Sequence, residues 1–242
     1  MGRTASGRGT PHKKKVTQSG YTLKSFQHMT DEEKKSAIDE ILNSTSISIP
    51  DYMDNSATSK LMVAIGMDAK PKVVSDDKFD SVAGSDMTLY RTVNGNDNIT
   101  ADEIFDQIMH GDYTQMPKDS SSMYGRGLYF ATVIDHAGRY GWGDDNKMMR
   151  SKLTNNANIA DYNTLSKKAT SFFGKNSSVP DPDQVALYAI THGYDGWTNN
   201  DTYIAIVNRG KLICSSTTKK ASAPIPGTYR ISPRKSWNQV MD

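Results

Sequence analysis

The chain of 242 residues is predicted to fold as an α+β protein. Three observations lead there. Short strand-like and helix-like segments are mixed without strict β-α-β alternation, which argues against a doubly wound parallel sheet. The length suits one good core, or one domain with an appended subdomain. No self-similarity at a fixed period marks a repeat architecture.

The elements follow in order. Residues 1 to about 20 have little to bury and are expected to be a disordered basic tail. Thr30 and Glu33 form a capping box that opens a helix over 31–43, with Ala37, Ile38, Ile41 and Leu42 as its apolar stripe. Pro50 interrupts, and a second helix is expected over 56–67, stopping at Gly66. Residues 70–74 read as an extended linker or a short edge strand, and Phe79 and Val82 as a packed turn. The stretch 21–84 is thus a helical lead-in packed on the core. Residues 87–93 alternate as a half-buried strand does. Thr100 and Glu103 form a second capping box for a helix over 101–110, closed by Gly111. Residues 112–123 are expected to be a loop.

Beyond the central stretch, 147–153 fits a strand and Ile159 a shorter one. Leu165, Ala169, Phe172 and Phe173 suggest a helix ended by Gly174. Asp181 is expected as an N-cap with Pro182 at the first helical position, in a helix running to His192. Residues 193–197 read as a polar turn, 202–208 as the strongest strand and 211–214 as another. From 216 to 242 an irregular basic tail is expected.

Charge and cysteine content exclude several classes. Net charge is +2, but the two ends are basic and the middle is acidic to neutral. Such tails stay solvated or meet an acidic partner or nucleic acid. A single cysteine, Cys214, rules out a disulfide within the chain. No Cys/His cluster has zinc spacing, no run is long enough to span a membrane, and no secretory signal opens the chain. A soluble cytoplasmic protein without a metal or membrane partner is expected.

The centre of the chain is Tyr124-Gly125-Arg126-Gly127-Leu128-Tyr129-Phe130-Ala131-Thr132, followed by a short helical segment closing on Tyr140. Glycines at a strand entrance let backbone approach either another strand or a ligand. The aromatics are either buried strand or a ring face for a flat heterocycle. The two glycines lack the third of a dinucleotide fingerprint and precede a strand instead of following one. There is no Walker-type loop and no nucleophile elbow. Two other strand segments stand out, Leu89-Tyr90-Arg91 and Asp201-Thr202-Tyr203-Ile204. Arg91, on a half-buried strand, calls for an anion that fits its planar fork, or for a structural ion pair.

These three segments resemble the ADP-ribosyltransferase superfamily. Gly125, Gly127, Leu128, Tyr129, Phe130 and Ala131, with Tyr140, are similar to its polymerase-branch core. Leu89-Tyr90-Arg91 resembles its first motif, and Tyr203-Ile204-Ala205-Ile206 the strand after its catalytic glutamate. The resemblance covers about 85–215. With Gly193-Tyr194-Asp195, the order also resembles such domains in phage and prophage minor head proteins.

The resemblance implies a split β-sandwich of two small sheets with flanking helices, and an NAD-dependent mono-ADP-ribosyltransferase without a metal. NAD would be the substrate. The acceptor would be a protein in preference to nucleic acid, in a host cytoplasm or a virion if the protein is phage-encoded. Tyr90, Arg91, Thr92, Gly127, Tyr129, Phe130 and Tyr140 would bind the dinucleotide. Arg91 would hold its diphosphate or ribose, the backbone at Thr92 would meet the nicotinamide amide, and Tyr140 would stack on the ring. The catalytic glutamate position falls on Thr202, which supplies no charge. Asp201 is the adjacent acid and reaches the site if it lies at a turn or bulge; Asp195 is a more distant one. Either Asp201 serves, or transfer is weak, or the fold binds NAD without turnover. The other readings are a non-catalytic virion or host-interaction protein, and an NAD glycohydrolase.

Overall fold

A computed structural model describes residues 18–50, 53, 55–67, 70–111, 126–141, 143–174, 177–200 and 202–220. Most of the expected tails, the 112–123 loop, Tyr124, Gly125 and Asp201 lie outside those residues.

Capping chemistry sets the helix starts. α1 (Leu23–Phe26) begins at Thr22, α2 (Asp31–Asn43) at Thr30 and α5 (Ala101–His110) at Thr100, each with a reciprocal capping box. α3 (Ala57–Ala64) is capped by Ser56, and Gly66 follows it with φ 63°. α4 (Asp76–Phe79) and α6 (Ile134–Gly138) are short. α7 (Tyr162–Phe173) starts from the Asp161 carboxylate, which accepts from Thr164 N–H. α8 (Asp181–Thr191) starts one residue earlier than expected. Its cap is Pro180, whose carbonyl accepts from Asp183 and Gln184 N–H, so Asp181 is already helical.

The strands are β1 (Lys72–Val74), β2 (Leu89–Asn94), β3 (Leu128–Ala131), β4 (Asn146–Leu153), β5 (Ile159–Asp161), β6 (Gly196–Asn199), β7 (Tyr203–Ile206), β8 (Leu212–Ser215) and β9 (Lys219–Lys220). They form one open sheet in the order β1-β8-β4-β2-β3-β7-β6-β5, with β9 beside β4. The architecture is mixed α+β. Two sequence expectations are corrected here. Residues 196–199 are a strand and not a turn, because Trp197 is 1% exposed and pairs with Ala205. Residues 219–220 pair with β4 instead of being irregular.

The sheet is continuous but unevenly joined. β2 pairs with β4 at six positions, and β3 with β7 at four, yet β2 and β3 share the single registered pair Tyr90–Ala131. Two small sheets were expected; the described strands meet instead at this one weak junction.

Each face carries a core. On one face α2, α3, α7 and α8 bury Ile38, Ile41, Leu61, Leu165 and Leu187 against Trp197, Ala205 and Val207. On the other, α5 buries Ile104, Phe105 and Ile108 against Leu89, Leu128, Phe130, Met149 and Ile204. Such burial contributes about 25 cal/mol per Å² of apolar surface. β1 pairs in parallel with β8, so part of the lead-in belongs to the sheet.

Candidate functional site

Alternation along β2 places Leu89, Arg91 and Val93 on the face covered by α5, and Tyr90 and Thr92 on the other. Tyr90 packs there with Ala131, Ala137, Met148 and Tyr203. Two β2 side chains hold α6 and the turn after it. Thr92 Oγ1 donates to the Ala137 carbonyl at 2.7 Å, and Asn94 Nδ2 donates to the Tyr140 carbonyl at 2.9 Å. The turn thereby brings Tyr140 edge-on to Tyr203, with ring centroids 6.1 Å apart at 82°. The His136 ring lies on Tyr203 at 6.1 Å and 25°. His136 Nδ1 is buried with no hydrogen-bond partner.

Arg91 spans the weak junction. Its Nη1 donates to the Tyr129 carbonyl at 2.9 Å, tying β2 to β3 where the ladder fails. Arg91 Nε is buried with no hydrogen-bond partner. Burial first, and then the charge of Arg209, push its pKa down to about 10, so the guanidinium stays charged at neutral pH. Arg209 is itself wholly buried, in the short 3-10 turn Arg209–Lys211 between β7 and β8.

The other expected site residues divide. Tyr129 is half-buried against the core under the helical layer. Phe130 is 1% exposed within the core under α5, so its ring has no face to offer a ligand. Gly127 admits a strand and not a ligand: a Cβ there would sit 3.1 Å from Ala205 Cβ. Thr202 lies in the β6–β7 hairpin beside Asn200, whose φ is 51°. The Thr202 hydroxyl donates to Asn200 O, and its carbonyl accepts from Thr132 N–H and Oγ1. Asp195 is occupied in structure. It is 8% exposed and accepts from Asn158 N–H at 2.9 Å and Asn208 Nδ2 at 2.6 Å.

No family model matches the chain. Neither a curated protein nor a solved structure matches it.

Sequence reasoning missed four participants. His136 and Arg209 gain their places from strand order, with no local signal beyond residue type, and Tyr203 was singled out only as part of its strand motif and not as a ring packed with Tyr140 and His136. The role of Arg126 is the fourth. It ends up against Asp183, which is 1% exposed and accepts from Arg126 Nε at 3.1 Å and from Thr58 N–H at 3.0 Å. No group of three or more His, Cys, Asp or Glu residues among those described could hold a metal ion. None of the described helices is long and apolar enough to cross a membrane.

Proposed function

We propose that the chain is an NAD-dependent mono-ADP-ribosyltransferase with the split fold of that superfamily. One observation carries the reading. The three segments that resemble the superfamily, around Arg91, Tyr129 and Tyr203, fall on β2, β3 and β7, which are consecutive neighbours in the sheet. The single pair joining β2 to β3 supports a division into two half-sheets, with the ligand at their junction.

The chemistry fits such a place. The bond between ribose C1′ and the nicotinamide nitrogen breaks, nicotinamide leaves with the bonding pair, and an acceptor nucleophile on a protein forms the new bond to C1′. The acceptor's proton passes to a base or to water. Little is asked of the protein beyond positioning and charge. Arg91, at the junction of β2 and β3, supplies positive charge for the diphosphate, and Tyr140, on the opposite face beside Tyr203, supplies an aromatic ring for the nicotinamide, so the ligand has to cross the junction between them. Asp201, the acid that precedes Thr202 in the sequence, would supply the carboxylate that steadies the cationic ribose. The basic ends of the chain suit an acidic partner or nucleic acid, in a host cytoplasm or a virion.

Purified full-length protein incubated with labelled NAD and a host lysate should label an acceptor protein, and Asp201→Ala should lose the label. Arg91→Ala and Tyr140→Ala should lose NAD binding. Release of nicotinamide with no labelled protein would instead indicate a glycohydrolase. Neither label nor nicotinamide from folded protein would overturn both enzymatic readings. It would favour a non-catalytic domain for virion or host interaction, a reading motivated by the uncharged and already bonded Thr202.

A further inference from the structure

We propose that Thr132 is a positioning residue for the proposed transfer, setting Asp201 through a doubled bond to the carbonyl of Thr202. This rests on the NAD reading above and names the side chain that fixes the place of its carboxylate. Three observations carry it.

The first is the doubled bond. β3 and β7 run in register as far as Ala131–Tyr203. One residue further, Thr132 N–H donates to the Thr202 carbonyl at 3.0 Å. A continuing antiparallel ladder would return the Thr202 N–H to β3. That N–H turns instead to the Asn199 carbonyl at 3.3 Å and closes the β6–β7 hairpin. Thr132 Oγ1 donates to the same Thr202 carbonyl at 3.2 Å, using its second lone pair. The hydroxyl thus restores a second bond where the ladder is diverted.

The second observation is that both chain neighbours of Asp201 are tied. Asn200 has φ 51°, a left-handed conformation that asparagine tolerates in a tight turn. Its carbonyl accepts from the Thr202 hydroxyl at 3.2 Å. The third is where the bond falls. Thr132 directly precedes Val133, the cap of α6, which makes no side-chain cap bond. The hairpin is therefore fastened at the point where β3 passes into the segment that ends on Tyr140.

This placement bears on rate. A carboxylate steadies a cationic ribose only when held close to it, and a displacement of about 1 Å can cost roughly a hundredfold. An anchor on the residue next to the acid limits its reach more than a distant one does. Thr132 acts on Asp201 through the backbone of Thr202.

The test measures nicotinamide release from labelled NAD by the full chain, with host lysate as the source of acceptor. Wild type is compared with Thr132→Val, which keeps the branched shape and the backbone bond and removes the hydroxyl. Rates are taken per mole of folded protein, well below each melting temperature, so that lost stability does not imitate lost positioning. Thr132→Val should lower kcat about tenfold or more, with KM for NAD within about twofold. Thr132→Ser, which keeps the hydroxyl, should recover most of kcat. Hydrogen exchange at Thr202 and Tyr203 should quicken in Thr132→Val and return to normal in Thr132→Ser. If Thr132→Val keeps its kcat, or raises KM alone, or leaves that exchange unchanged, the role of Thr132 is overturned and the NAD reading stands. If wild type releases no nicotinamide, the NAD reading falls and the role of Thr132 falls with it.

Discussion

A half-buried guanidinium must place its N–H groups somewhere, and Arg91 shows how few choices a strand position leaves. One N–H reaches the Tyr129 carbonyl, and Nε is left buried without a partner. Its planar fork can therefore brace two strands and still present charge to an anion. Gly196 is constrained more tightly. A Cβ there would overlap the carbonyl oxygen of Ala205, and backbone cannot swing aside as a side chain can. Gly196→Ala should destabilise the fold by about 1–3 kcal/mol, read as a lower urea midpoint at unchanged m-value. An unchanged midpoint would mean that β6 shifts freely along β7. Cys214 illustrates the opposite case, a reactive group made inert. Burial pushes its thiol up to about 12, although Ser151 and Arg209 pull the other way.

At the scale of elements, α4 is a four-residue helix too short to persist by itself. Side chains hold it. Asp76 accepts from Arg150 Nη2 at 2.5 Å and Ser215 Oγ at 2.7 Å, and Arg150 lies 4.7 Å above the Phe79 ring. The Ser215 hydroxyl, then the Arg150 guanidinium, lower the Asp76 pKa from 3.8 to about 2. A carboxylate lowered in the fold contributes stability that is fully present above its unfolded value. That contribution is lost as pH falls through the folded one. Melting temperature should therefore drop for wild type between about pH 4 and pH 2 more steeply than for Asp76→Asn. The two curves should converge at the acid end. Parallel curves across that window would show that Asp76 makes no net contribution.

Across the whole molecule, Asp183 joins three parts of the chain. It lies in the first turn of α8, accepts from Thr58 at the start of α3, and meets Arg126 at the entrance to β3. Helical lead-in, helical layer and central strand thus share one buried carboxylate. Removing its cation leaves that charge uncompensated in a poorly hydrated place. Arg126→Met should cost about 3 kcal/mol, measured by chemical denaturation. It should also raise hydrogen exchange in both α3 and α8, whereas exchange confined to residues beside 126 would show that the three segments are held independently. A second tie between lead-in and core is His192, stacked on Tyr188 with centroids 3.8 Å apart and facing Asp31 from Nε2 at 3.2 Å.

The sequence by itself determined most of the local structure. Helices 31–43 and 101–110 were legible to the residue because capping boxes and apolar stripes are short-range interactions, settled within a few residues. The strand read over 87–93 from its alternation is found at Leu89–Asn94, and the one read over 202–208 at Tyr203–Ile206, so their existence was legible and their ends were not. β6 was not, since Gly196-Trp197-Thr198-Asn199 carries one large apolar residue and becomes a strand only by pairing with β7. Neither was the fate of Phe130 and Gly127, which belong to packing, nor that of Asp195, which links residues 158, 208 and 211. What only the tertiary structure decided is which residues meet. Tyr90, Ala131 and Tyr203 are far apart in the chain and adjacent in the sheet. Strand order and register arise from long-range pairing and burial, which leave little trace in local sequence.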